Sequence, residues 1–260
     1  MAGDWKYRIG LSLTGFPPAP ISPVQSSSYP TVLFNAMVKP WTAFPIKGVI
    51  WYQGEANVGR SEQYGDLFPA LITDWRRQWR SDFPFYFVQL ANFMESKKIQ
   101  PDSEWAALRE AQTKALKLDQ VGMAVTIDIG LADDIHPKNK QEVGRRLALV
   151  ALAGSYGKNV SSSAPVFQNY IIKGNKMELD FGQKQDGFQI KGTTLKGFTI
   201  AGPDRVFYPA EAMVHDGKII LSSTEVPAPL AARYGWADNP DCNLYGENGL
   251  PVAPFRTDCW

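Results

Sequence analysis

The sequence predicts an α/β protein built on a parallel sheet and followed by an antiparallel β region. Three observations carry that expectation. Strand-like and helix-like segments alternate in the order β-α-β-α-β-α up to residue 157, which implies a parallel sheet with helix layers. Residues 47–57, KGVIWYQGEAN, run an apolar strand straight into a polar turn carrying an amide, a glycine and a carboxylate, and α/β sheets place ligand sites beyond such strand ends. From Gly157 onward, short apolar stretches are instead separated by turn signals at Lys173-Gly174-Asn175, Asp186-Gly187, Gly202-Pro203-Asp204 and Asp216-Gly217. The implied organisation is an α/β domain over 1–157 and a β-rich region over 158–260.

In chain order, Phe16–Pro30 is rich in Pro and Ser and reads as an extended loop. Lys47–Tyr52 reads as the first strand of the alternation. Tyr64, Leu67, Phe68, Leu71, Ile72, Trp75 and Trp79 then repeat at helical spacing on one face. Phe85–Leu90 is the next strand, Trp105, Leu108, Ala111, Ala115 and Leu116 mark a second amphipathic helix, and Met123–Ile127 a third strand. A third helix is expected to start after Pro137, because proline suits a first helical turn, with Val143, Leu147, Val150 and Ala151 as its buried stripe up to Gly154.

With 260 residues, 44% of them hydrophobic and 12% aromatic, the chain has ample material for a core. The 27 Lys and Arg against 26 Asp and Glu leave a net charge of +1, with no dense basic run of the kind that tracks a phosphate backbone, so nucleic acid is not an expected partner. No apolar run approaches the roughly 20 residues that span a bilayer, and Met1-Ala2-Gly3-Asp4-Trp5 lacks a signal pattern, so no membrane partner is expected and the chain reads as soluble. Two cysteines, Cys242 and Cys259, are too few for a zinc site, and no metal or cofactor is expected. They could close one loop near the C-terminus, which would fit an exported protein.

Two polar turns follow apolar strands and should face one crevice: Gln53, Gly54, Glu55 and Asn57 after the first, and Asp133-Asp134-Ile135-His136-Pro137 after the third. Of the two histidines, His215 sits in Val-His-Asp-Gly-Lys, a hairpin signal, leaving His136 as the candidate general base. An imidazole, with a pKa of about 6.5, can take a proton from a serine and return it to a leaving group, while an adjacent carboxylate holds its tautomer. Asp133 and Asp134 are both placed for that. Equally, the turn could serve only to cap the following helix. Gln53 could donate its amide to a developing oxyanion, or simply tie down a loop. Glu55 could position Gln53 or a nucleophile loop, or form a structural ion pair with Arg60, the favoured reading, and Trp51 and Tyr52 read as core, although strand alternation would let one of them line the crevice.

Lys47–Arg60 (KGVIWYQGEANVGR) and Val125–Arg146 (VTIDIGLADDIHPKNKQEVGRR) resemble the sialate O-acetylesterase family, a branch of the SGNH, or GDSL-like, hydrolases. The similarity extends through Tyr29–Met37, Phe83–Phe93 and the tail Arg233–Asp258 with its WADNPDCNLY and GLPVAPFRTD stretches. It implies a flavodoxin-like three-layer α/β/α fold, and removal of acetyl groups from carbohydrates by a serine assisted by His136, in a secreted or periplasmic protein. The family's turn usually has an Asp two places before the His, matching Asp134, whereas the wider superfamily spacing selects Asp133. Gln53-Gly54-Glu55 takes the oxyanion side.

One part departs from the pattern. Members carry the nucleophile in a Gly-Gln-Ser-Asn-Met type motif on the first strand of the fold, and no such motif occurs here. Gly3-Asp4-Trp5 has Trp where a GDS motif has Ser; Ser26, Ser27 and Ser28 lie in a Pro-flanked loop, Ser12 in a strand-like Ile9–Leu13 run, and Ser155 at the end of the third helix. The expectation is the C-terminal part of a longer esterase, with the α/β domain incomplete at its N-terminus and the missing segment or another chain as a partner beside the acetylated carbohydrate. The alternatives are an inactive domain that folds and binds sugar, and a carbohydrate-binding module over Lys158–Trp260 displaying Tyr170, Tyr208 and Trp236.

Overall fold

A computed structural model describes residues 30–182 and 187–260, so the Phe16–Pro30 loop short of its last residue, Ser12, Ser26–Ser28 and Asp186 lie outside the described residues. The chain divides into two compact units, Met1–Pro45 and Ile46–Trp260. Of the first, the described part holds a π-helical turn at Phe34–Val38 and a 3-10 turn at Lys39–Trp41, closed by Thr42 Oγ1 donating to Lys39 O at 2.9 Å.

The second unit opens with a three-stranded parallel sheet: β1 (Val49–Trp51), β2 (Phe85–Gln89) and β3 (Val121–Val125), in the order β1-β2-β3. Val49 aligns with Phe85, and Phe85 with Val121. The alternation of β2 builds both sides of the sheet. Phe85 and Phe87 point into a core with Tyr64, Phe68 and Ile72 of α1 (Ser61–Trp79) and Trp105 and Leu108 of α2 (Glu104–Thr113). Tyr86 and Val88 point the other way, into Val143, Leu147 and Val150 of α3 (Lys140–Gly154). The result is helices on both faces of a parallel sheet, and all five β2 residues are buried.

Two sequence expectations shift. The third strand lies at Val121–Val125 rather than Met123–Ile127. Gly122 hid its beginning from the apolar pattern: a Cβ there would fall 2.4 Å from Val150 Cγ1, so this residue is small because α3 packs on the bare backbone. At the other end Thr126 leaves the ladder and donates its hydroxyl to Gln89 O at 2.6 Å. The third helix begins at Lys140, not after Pro137. Asn139 is its cap, accepting from Glu142 N at 3.2 Å, and Pro137 lies buried in the preceding loop.

The β-rich part contains two four-stranded antiparallel sheets. The first joins β4 (Asn169–Lys173), β5 (Lys176–Asp180), β10 (Lys218–Ser222) and β9 (Glu211–His215). The second joins β13 (Phe255–Arg256), β11 (Ala231–Tyr234), β7 (Phe198–Ala201) and β8 (Phe207–Pro209), and a further pair links β12 (Leu244–Gly246) to β6 (Phe188–Ile190). Met177, Leu179, Ile219 and Leu221 from one sheet and Phe198, Ile200 and Tyr234 from the other form one core. His215 ends β9 opposite Lys218, so Asp216-Gly217 is the hairpin turn the sequence indicated. Cys242 and Cys259 are both free, against the loop closure considered above: Cys242 packs on Tyr234 inside the core, where burial pushes its thiol up to about 12, and Cys259 is exposed. Tyr208 packs on the same core, and the indole of Trp236 donates to Pro101 O at 3.1 Å.

Candidate active site

All three strands of the parallel sheet run the same way, so the segments following Trp51, Gln89 and Val125 leave one edge of it. Tyr52–Asn57, Leu90–Asn92 and Thr126–His136 therefore gather at the carboxyl edge, where such sheets bind ligands.

The first of these turns is tightly held. Gly54 is buried with φ of 151°, a conformation that a side chain disfavours, and a Cβ there would meet Gln112 Nε2 at 3.3 Å and Leu108 Cδ2 at 3.4 Å. A 3-10 turn follows at Glu55–Asn57. The Gln53 side chain is fixed at both ends: its Nε2 donates to Asn57 Oδ1 at 2.7 Å, and its Oε1 accepts from Tyr64 OH at 3.3 Å. Its carbonyl accepts from Tyr64 OH at 3.2 Å and from Gln112 Nε2 at 3.3 Å. An amide nitrogen has two hydrogens. Asn57 takes one and, among the described residues, the other has no partner.

Glu55 makes no ion pair with Arg60, contrary to the structural reading of that pair; Arg60 Nη2 bonds Ala56 O at 3.0 Å instead. The helix-like path of 55–57 turns the arginine back onto its own backbone. Burial first, and the Glu55 charge second, push the Tyr52 phenol up to about 12.

The second turn is open. The His136 side chain is 87% exposed, with Nδ1 3.9 Å from Asp134 Oδ1. That same oxygen accepts the His136 backbone N–H at 2.8 Å, so Asp134 shapes the turn and stands beside the ring, while Asp133 is exposed with neither contact. Neither aspartate caps α3, since Asn139 does. Ile135 packs against the same buried cluster as Trp51, Tyr52 and Val58 do, and Lys140 Nζ lies 4.8 Å from the centre of the Tyr52 ring. Those contacts put the base-side loop on the flank of the Gln53 turn. No hydrogen bond or ion pair joins Gln53, Glu55 or Asn57 to Asp133, Asp134 or His136.

The open loop is anchored at its two ends as well as along its length. Arg146, with 5% of its side chain exposed, makes a bidentate pair with Asp128 where the loop leaves β3, donates to Val125 O at 2.7 Å, and reaches Glu142 at 2.8 Å in the first turn of α3. Tyr245 of β12 donates to Asp128 Oδ2 at 3.1 Å. Hydrogen bonds from Arg145 and Arg146 hold the Glu142 carboxyl at about 2. Across the β2 end, Asn92 accepts from Gly130 N at 2.7 Å and donates to Asn239 Oδ1 at 2.7 Å. Arg109, fully buried on α2, gives its guanidinium to the carbonyls of Leu90, Ala91, Ala237 and Asp238. Burial pushes that guanidinium below the ordinary arginine value.

These supporting residues were not singled out from sequence. The one available signal was polar residues on an apolar helix face: Arg109 and Gln112 lie beside Leu108 and Ala111, and Arg146 beside Leu147. Of the serines considered as nucleophiles, Ser155 is bonded to Tyr86 OH at 2.8 Å at the far end of α3, away from the carboxyl edge. Among the described residues no serine hydrogen-bonds His136. Among them, too, no helix is long and apolar enough to cross a membrane.

Comparison with known proteins gives one consistent answer. The carbohydrate esterase family described as sialic acid-specific acetylesterase matches residues 20–153. Among characterised relatives, the sialate O-acetylesterase of Pongo abelii is 32% identical over 96% of this chain and 54% of its own length, and that of Homo sapiens 31% identical over 96% and 54%. The chain thus spans about half the length of the relatives it matches. Among solved structures, a carbohydrate acetylesterase from Xanthomonas citri superposes with a TM-score of 0.85 at 46% identity, over 89% of this chain and 55% of that one.

Proposed function

The chain belongs to the sialic acid-specific acetylesterase family of carbohydrate esterases, and from that premise we propose that it serves a carbohydrate O-acetylesterase of the serine type. His136 acts as general base and then as general acid to the departing sugar oxygen, and Asp134, rather than Asp133, orients the imidazole. Gln53 offers its spare amide hydrogen to the oxyanion of the tetrahedral intermediate, with Gly54, Glu55 and Asn57 fixing its approach. The observation that carries this reading is the Gln53 amide, anchored at both ends with one N–H left over, on the sheet edge from which the His136 loop also departs. Preorganised donors of this kind are typically worth about 3–4 kcal/mol in the transition state.

The finer fold reading is the flavodoxin-like, three-layer SGNH arrangement over 1–157 with a β-rich region over 158–260, in a secreted or periplasmic protein whose substrate is an acetylated carbohydrate. The described residues supply no serine bonded to His136, so this reading takes the nucleophilic serine from outside the described residues.

Hydrolysis of an aryl acetate tests the proposal. The 260-residue chain alone should turn over no faster than its His136→Ala variant, whereas a longer product of the same gene should show turnover that His136→Ala removes by at least about a hundredfold. Turnover in the longer product that ignores His136 would overturn the assignment. His136-dependent turnover by the chain alone would place the nucleophile within it, with Ser12 and Ser26–Ser28 the positions to replace first.

A further inference from the structure

The first antiparallel sheet ends on β4 at one side and on β9 at the other, and among the described residues neither edge is paired. Every residue of β4 is exposed, and so is every residue of β9 except Ala212. An open edge of this kind is a template for one more strand.

The hairpin fixes how β9 presents itself. Asp216 and Gly217 turn with φ of 48° and 72°, the left-handed pair of a two-residue loop. Such a loop makes His215 and Lys218 a hydrogen-bonded pair, so the bonds to β10 fall at 211, 213 and 215. The N–H and C=O of Ala212 and Val214 therefore face the open edge, without a partner among the described residues. On the core side Val214 lies opposite the buried Ile219 yet is 38% exposed, and on the outer side Met213 is 58% exposed opposite Ile220. An added strand would cover both.

Charge selects the strand. Antiparallel pairing of β9 with a second β9, centred on Met213, sets 212 against 214 and so matches the free backbone groups of each copy to those of the other. The same register sets Glu211 directly opposite His215, once on each side of the centre, in the pairs where side chains approach most closely. Within its own chain Glu211 faces the uncharged Ser222 and has no ion pair among the described residues. His215 meets Asp216 at 3.4 Å on the exposed hairpin tip and stands opposite Lys218, whose own partner is Glu178 at 3.7 Å. With Lys218 across the ladder, a charged imidazole gains from a further carboxylate. β4 offers no such match: self-pairing about Ile171 sets Asn169 against Lys173, which already meets Glu178 at 2.8 Å.

We propose that the β9 edge is a homotypic interaction surface, on which a second copy of this chain lays its own β9 antiparallel about Met213, with Glu211 of each copy against the partner's His215. The two sheets then run on as one. None of the residues assigned to ester hydrolysis takes part. The contact is short, so association is weak and concentration-dependent. An imidazole gains its charge as pH falls from about 8 to about 5, where carboxylates are still ionised, so the pairing strengthens over that interval.

Sedimentation equilibrium over a wide range of protein concentration tests this. A monomer–dimer equilibrium is expected at about pH 5.5, weakening roughly tenfold by about pH 8. Met213→Lys sets two lysines against each other at the symmetry axis and should leave only monomer, at an unchanged thermal midpoint. Glu211→His or His215→Glu alone places like residues opposite each other and should weaken the dimer about tenfold. The two together restore the match with the charges exchanged and should recover it, so the swap decides even if Met213→Lys fails to fold. Monomer at every concentration, a dimer indifferent to Met213→Lys, one equally strong at the higher pH, or no recovery in the double swap would overturn the proposal. A dimer abolished by Ile171→Lys would place the contact on β4 and overturn it as well.

Discussion

Gln53 and His136 sit on turns that leave the same sheet edge, yet the two are held in opposite ways. Gln53 is fixed from within: Asn57, Tyr64 and Gln112 bond its side chain or carbonyl, and Gly54 beneath it takes a backbone conformation that a side chain would strain. His136 is almost wholly exposed and owes its place to anchors at the two ends of its loop, Asp128 and Glu142, joined through Arg146. A donor for a developing charge must stand still, because its contribution depends on not reorganising. A general base must meet a nucleophile and a leaving group in succession, and a ring 87% exposed has that freedom even though the loop beneath it is tied down.

The sharpest way to break this contrast is Arg146→Ala. It leaves the Asp128 carboxylate inside without its partner, and losing one member of such a buried pair costs about 3–5 kcal/mol. Urea unfolding should show that loss, and a destabilisation below about 1 kcal/mol would mean that the loop is anchored elsewhere. Gly54→Ala should come next, at about 1–3 kcal/mol from backbone strain, read in the same assay. Asp134→Ala should cost about 1 kcal/mol by removing the acceptor for the His136 N–H, while Asp133→Ala stays within about 0.5 kcal/mol. Equal costs at the two aspartates would remove the distinction drawn between them.

Extremes of pH should separate the turns most gently. Glu142 is held at about 2, below its ordinary 4.5, so the stability it contributes is present above pH 4.5 and is lost as pH falls through 2. Tyr52 is raised to about 12 from 10.0, so the folded state favours the neutral phenol; its contribution is complete below pH 10 and is lost as pH rises through 12. Thermal midpoints across pH should show Glu142→Gln flattening the acid limb, and Tyr52→Phe the alkaline limb. If either variant flattened both limbs, the two turns would be a single cooperative unit.

The strands, helices and the two turns were legible because each follows from local pattern: β2 opens on the apolar run Phe85–Val88, and α1 repeats its aromatic residues at helical spacing. The ends of elements were harder. Gly122 interrupts an apolar pattern for the sake of a neighbouring helix, and Asn139 displaces Pro137 as the start of α3 because a side-chain cap three residues from Glu142 satisfies a backbone donor that proline cannot. The supports of the site were not legible, since Tyr245 and Asp128 are 117 residues apart and nothing local marks them as partners. Glu55 and Arg60 were drawn together by opposite charge and short separation alone, and the 3-10 turn between them sends the arginine elsewhere.

Arg109 has a bearing on how this architecture tolerates change over generations. Its guanidinium bonds only to main-chain oxygens, at 90, 91, 237 and 238, so it is indifferent to which side chains those positions carry. Whatever constrains the side chains there, such as the burial of Leu90 in the core, is separate from the grip. Insertion or deletion breaks it, because one residue more or fewer near 237 slides every oxygen out of register with a fork that has no slack. Descendants of this chain should therefore keep the length of the stretch around 237–238 constant, and Asp238 itself, whose carboxylate is bonded by Ser103 and Gln100.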